Sequence, residues 1–288
     1  MEKEYQRSKF EKPLENEGEG VLQVVNSVNV VSEEENQNWS LEDLKGAMLK
    51  SFEIAGQKAL EENQGTVFVT LSGGIDSTLG LAILRQNFPE AKIVAFTMGG
   101  NENHPDVVHA RLAAEKFGAQ HCEIIPSQDD IQEALADYQK EFPGSDTKKA
   151  VADGDFDVYF LYKKIAAMCP KLMIAYDGID ELMGGYWGHR KGKSLEERKK
   201  AFAQYWQRLI PHHLQPLLST SQKFDIRLVF PYLNKELAQT ISEIPVSERV
   251  SDEVGKLPMR ELARMFDVPD EIIKRSKRGQ VGMLEVKI

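Results

Sequence analysis

Cysteine is nearly absent from this chain. Only Cys122 and Cys169 occur in 288 residues, in no CxxC or other metal-type spacing, which excludes a cysteine-built metal site and suits reduced thiols in a cytoplasmic protein. No apolar run approaches the roughly 18 residues that mark a membrane span, and the opening stretch MEKEYQRSKFEKP lacks the apolar core of a secretory signal. Neither membrane insertion nor export is expected. Positive charge is also short: 36 Lys and Arg stand against 45 Asp and Glu, a net charge of −9, which argues against broad binding to nucleic acid. There is no GxxxxGK[ST], hence no P-loop lysine for β- and γ-phosphates. The rest, 41% hydrophobic and 28% charged, is ordinary globular composition. The length fits one large domain or a domain with an appendage.

What is present is organised around Thr66 to Thr78. Thr-Val-Phe-Val-Thr-Leu breaks at Ser72-Gly73-Gly74-Ile75-Asp76-Ser77-Thr78 and resumes as Leu79, Ala82 and Ile83 at helical spacing. The pattern predicts strand, tight loop, helix. Two glycines let the backbone approach a ligand closely, and the helix N-terminus behind them offers unpaired N–H groups to a phosphate. Ser72, Ser77 and Thr78 add hydroxyl donors. Asp76, a carboxylate inside an anion-binding turn, makes sense if a divalent cation sits between it and the phosphates.

Further along, strands are expected at Lys92 to Met98, Gln120 to Ile125 and Lys171 to Tyr176, and helices over Leu41 to Leu60, after Ser40 as a start signal, and Asp106 to Phe117. The β-α-β-α-β order implies an α/β parallel sheet whose ligands sit at the C-terminal strand ends. Residues 127 to 170 read as helical with a break at Pro143-Gly144. Residues 1 to 38 read as an acidic, mobile segment, and 39 to 288 as the functional domain. Within the former, Val21 to Val25 and Val28 to Val31 suggest an edge strand, a hairpin or a contact for a partner chain.

A second cluster follows the Lys171 to Tyr176 strand: Asp177-Gly178-Ile179-Asp180-Glu181-Leu182-Met183-Gly184-Gly185-Tyr186. Three carboxylates this close raise one another's pKa unless a cation compensates, and Mg²⁺ bridging ATP phosphates is the natural compensator. Asp153, Asp155 and Asp157 read as helix-start and solvated acids rather than metal ligands. The basic stretch Trp187 to Lys200 reads as a solvated amphipathic helix, with a lid or docking surface as the alternative. His212-His213 reads as surface, and Tyr205 and Trp206 as helix packing.

The SGGIDS string resembles the pyrophosphate loop of the N-type ATP pyrophosphatases. With DExxGGY at 180 to 186, Phe96-Thr97-Met98-Gly99, His104-Pro105-Asp106, Phe230-Pro231-Tyr232-Leu233-Asn234, Lys256-Leu257-Pro258-Met259-Arg260 and Arg275-Ser276-Lys277, the chain from Trp39 to Gly282 resembles the synthetase domain of glutamine-dependent asparagine synthetases. The resemblance implies a twisted parallel sheet with helices on both faces, of the adenine nucleotide alpha hydrolase type, and a helical C-terminal part. It implies ATP and Mg²⁺ as cofactors. The pyrophosphate would lie on Ser72, Gly73, Gly74, Asp76, Ser77 and Thr78, the nucleoside near Leu71, Met98, Ala175, Tyr176 and Gly178, and the metal on Asp76 and Asp180. Lys277 and Asp177 would be catalytic. The implied reaction joins a small carboxylate, aspartate first, to ammonia or an amine through an acyl-adenylate.

Two departures bear on the acceptor. The family's glutamate in GEG becomes Asp177, withdrawn by about 1.5 Å, one C–C bond, and the preceding glycine becomes Tyr176. Pro211 to Leu228 is abbreviated, and the family's ArgValPro reads Val229-Phe230-Pro231 here, without the arginine. A lactam- or peptide-amide-forming synthetase and a non-catalytic ATP-binding relative are therefore alternatives. Position 2 is Glu, where a glutaminase domain would need its nucleophilic cysteine, so nitrogen is expected as free ammonia or from a separate glutaminase chain.

Overall fold

A computed structural model describes residues 17–32, 36–275, 284 and 286. Five strands form one sheet: β1 (Thr66–Thr70), β2 (Lys92–Met98), β3 (Gln120–Ile124), β4 (Leu172–Ile174) and β5 (Arg227–Val229), in the order β3-β2-β1-β4-β5. All pairings are parallel; Phe68 of β1 faces Val94 on one side and Met173 on the other. Val67, Phe68 and Val69 are all buried, as are Ile93 to Met98, because helices cover both faces and leave no solvent side to alternate toward.

The helices are α1 (Glu17–Ser27), α2 (Leu41–Glu62), α3 (Ile75–Asn87), α4 (Pro105–Lys116), α5 (Gln128–Glu141), α6 (Thr147–Asp153) and α7 (Asp155–Ile165) up to β4. They continue with α8 (Ile179–Met183), α9 (Trp187–Lys191), α10 (Leu195–Leu209) and α11 (Gln215–Lys223) before β5. Beyond it lie α12 (Lys235–Glu243), α13 (Val246–Arg249), α14 (Leu257–Met265) and α15 (Asp270–Lys274). From β1 the chain steps outward through α3 and α4 to β3, then crosses back to β4 and β5. Right-handed crossovers put the outward helices on one face and the returning ones on the other. β1 and β4 are thus the neighbours whose connections leave in opposite directions, the switch point where an α/β sheet forms its ligand crevice at the C-terminal strand ends.

The valine-rich stretch expected as strand or hairpin is α1 and the irregular residues that follow it. Val21, Val24 and Val28 recur at helical spacing and, with Val30, join the main core. Burial of that face outweighs the β preference of valine. Ser40 caps α2 by accepting from the Asp43 N–H at 3.1 Å. In the acidic triplet, Asp153 is exposed and Asp155 half-buried, whereas Asp157 is buried, a correction to the solvated reading. β5, three residues long, was not anticipated. Among the described residues no helix is long and apolar enough to cross a membrane.

Candidate active site

The loop after β1 is held from three directions. Leu71 donates its N–H to the Phe96 carbonyl at 2.8 Å and accepts from the Thr97 hydroxyl at 2.5 Å, so its backbone is committed to β2. Gly73 turns at φ +63°, and a Cβ there would lie 2.6 Å from the Asp106 carbonyl and the Ala110 nitrogen of α4; no larger residue fits. Ser77 Oγ accepts from the Ser72 N–H at 3.2 Å and lies 3.1 Å from Ser72 Oγ, closing the turn on itself. Gly74 caps α3 without a side-chain bond. The first-turn N–H groups of Ile75, Asp76 and Ser77 are then a positive helix end suited to an anion. Arg275 donates to the Gly73 carbonyl at 3.0 Å and pairs with buried Asp106, pinning loop and α4 together.

Asp76 in the first turn of α3 and Asp180 in the first turn of α8 come together across the crevice. Between them stands the ammonium of Lys256, 2.6 Å from Asp76 Oδ2 and 2.5 Å from Asp180 Oδ1. Lys256 is buried and sits at φ +60°, an uncommon conformation for a side-chain-bearing residue. Burial opposes its charge, yet the two carboxylates prevail and hold its pKa above the ordinary lysine value. Gly185 explains the glycine pair of the motif: a Cβ there would lie 1.6 Å from Asp180 Oδ1 and 2.6 Å from Lys256 Cε. Burial, and then the repulsion of Asp180, pushes buried Glu181 up to about 7, although Tyr186 donates its hydroxyl to it at 2.9 Å.

Asp177, at the end of β4, accepts from His213 Nε2 at 2.5 Å. His213 lies in a π-helical turn, Ile210–Leu214, between α10 and α11. His212 is exposed, as expected; His213 is not an idle surface residue but part of the acid cluster, a correction. Burial opposes its protonation, but the Asp177 hydrogen bond and the charges of Asp177, Glu181 and Asp180 raise it to about 9. Around these acids stand Ala175, whose N–H donates to the Val229 carbonyl at 3.0 Å, Tyr176 and Gly178, at φ +93°. The Tyr176 ring is buried against Gly80 and stacks on Phe52, which leaves its backbone at the strand end. Met98 is buried at the end of β2. Lys277 lies outside the described residues.

The asparagine synthase family model matches residues 51–227 and 218–284. The chain belongs to the asparagine synthase family. Similar curated proteins include glutamine-hydrolyzing asparagine synthetase 1 of Arabidopsis thaliana, 25% identical over 73% of this chain and 38% of that protein. Another is the glutamine-hydrolyzing asparagine synthetase of Gallus gallus, 26% identical over 86% and 45%. This chain therefore spans less than half the length of either relative. Among solved structures, the NMN synthetase of Francisella tularensis aligns over 86% of this chain and 79% of its own, at 17% identity and a TM-score of 0.47.

For this asparagine synthase family member, sequence reasoning reached both loops and the acids. It assigned no role to Lys256, Arg275, Asp106 or His213, although the first three lie in stretches it had singled out. No local signal marks Lys256, because its burial is a property of the fold.

Proposed function

We propose that the protein is an ATP-dependent, AMP-forming amide ligase. A small carboxylate, aspartate first among candidates, attacks the α-phosphate of ATP to give an acyl-adenylate and pyrophosphate, and ammonia or an amine then displaces AMP. The observation that carries this reading is the meeting of Asp76 and Asp180, far apart in sequence, around one positive centre beside the Ser72–Thr78 turn.

Mg²⁺ fits these residues. Asp76 and Asp180 would hold it, since two carboxylates plus substrate phosphates is a usual Mg²⁺ environment. Bound there, Mg²⁺ would neutralise charge on the phosphate oxygens. The chain supplies the rest. First-turn N–H groups of α3 with Ser72, Ser77 and Thr78 take the pyrophosphate. Leu71, Met98, Ala175, Tyr176 and Gly178 border the nucleoside, and Lys256 keeps a fixed charge against the acids. Lys277 is carried over from the resemblance as a second cation for the phosphates or the tetrahedral intermediate. Ammonia or an amine is the nitrogen source.

The test is incubation with ATP, Mg²⁺, ammonium and a panel of acids headed by aspartate. AMP, pyrophosphate and an amide are expected in equal amounts, and Asp76→Ala should abolish them in a folded protein. Formation of ADP in their place would overturn the reading.

A further inference from the structure

We infer that His213, braced by Asp177, accepts the proton shed by the incoming nitrogen in the amide-forming step, an inference that rests on the ligase reading above. Pro211 interrupts the hydrogen-bond ladder at the end of α10, and the chain widens into the π-helical turn Ile210–Leu214. Single π turns are found disproportionately at functional sites. Leu214 anchors this one in the core while His213 reaches back to the end of β4.

The contact fixes the tautomer. An ionised carboxylate only accepts, so Nε2 must donate to Asp177 Oδ1 across the 2.5 Å contact, and Nδ1 is the basic nitrogen of the neutral ring. The pair can be reached from solvent, with the His213 side chain 39% and the Asp177 side chain 25% exposed. Taken together, Asp177 and protonated His213 are neutral and lie beside Asp180 and Glu181. That surrounding favours an ammonium ion or amine.

In the step itself the nitrogen lone pair forms the C–N bond to the acyl-adenylate. The bond from the acyl carbon to the phosphate oxygen breaks and AMP leaves with its electron pair. The ring acts in its neutral form, after giving its Nδ1 proton to solvent; the proton on the attacking nitrogen then passes to Nδ1, and the ring is protonated again.

The experiment compares two half-reactions in His213→Gln and His213→Ala. Carboxylate-dependent exchange of pyrophosphate into ATP reads adenylation without nitrogen, and it also shows that each variant is folded. Single-turnover amide formation reads transfer. Transfer to ammonia should fall by about 10²–10⁴-fold more than exchange does. Added imidazole should restore transfer in His213→Ala. Equal loss of exchange and transfer, or transfer unaffected, would overturn the role of His213 while leaving the ligase intact. No exchange in the unmodified protein with any acid sinks the ligase reading and this inference with it.

Discussion

At residue scale, Lys256 is the side chain whose loss should be felt most. Its ammonium is the positive charge between Asp76 and Asp180, and removing one member of a buried ionic group leaves the others uncompensated, at a cost of about 3–5 kcal/mol. Lys256→Met should lose about that much in urea unfolding without divalent cation, and Mg²⁺ should recover part of it by neutralising the two carboxylates. A Lys256→Met protein as stable as the parent, with or without Mg²⁺, would contradict the arrangement. His213 gives a second residue-scale prediction. Its pKa rises from 6.5 to about 9 on folding under the influence of Asp177, Glu181 and Asp180. A raised pKa stabilises the folded state in full below the unfolded value and loses that stabilisation as pH climbs through the folded value. The melting-temperature advantage of the parent over His213→Gln should therefore be largest below pH 6.5 and shrink toward zero above pH 9. An advantage that grows with pH would show that the pair is absent in solution.

At the scale of elements, α1 shows where sequence reading gives out. Its valines favour strand locally, and only the core that the rest of the chain builds makes a helical face the better burial. The same core caps it: Trp206 Nε1 of α10 donates to the Val25 and Val28 carbonyls, both at 3.1 Å. Trp206→Phe keeps an aromatic ring and removes the donor, leaving buried carbonyls without it. A loss of about 1–3 kcal/mol is expected, and amide hydrogen exchange over residues 17–27 should accelerate ahead of the sheet. Uniform exchange across both would mean that α1 is held by something else. β1 and β2 were legible because strands buried on both faces are continuous apolar runs, and Ser72–Thr78 because glycine turns and helix caps are local chemistry. β5 was not, since Arg227–Val229 is too short to carry a period and is made a strand by pairing with β4. Lys256, His213 and Arg275 escaped for the same reason at the site: each acquires its meaning from a partner that only the tertiary fold brings near.

For the whole molecule, the crevice between β1 and β4 is closed by residues from the far end of the chain. Tyr232 donates its hydroxyl to the Asp76 carbonyl at 2.9 Å, Lys256 joins Asp76 to Asp180, and Arg275 grips the carbonyl of Gly73. The sheet supplies the loops, and the helical C-terminal part supplies the cations that hold them in place. Nucleotide binding and global folding should then be one event. A ligand that binds the folded state at 100 times its Kd adds about 2.7 kcal/mol, so a non-cleavable α,β-methylene analogue of ATP with Mg²⁺ should raise the melting temperature of the entire chain in a single transition. Asp180→Asn should remove most of that shift, and so should Gly185→Ala, whose methyl would overlap Asp180 Oδ1. Omitting Mg²⁺ should weaken it in the parent. A shift that ignores both the metal and Asp180, or one that splits unfolding into a stabilised sheet and an unaffected C-terminal part, would mean that the two ends of the chain do not build one site.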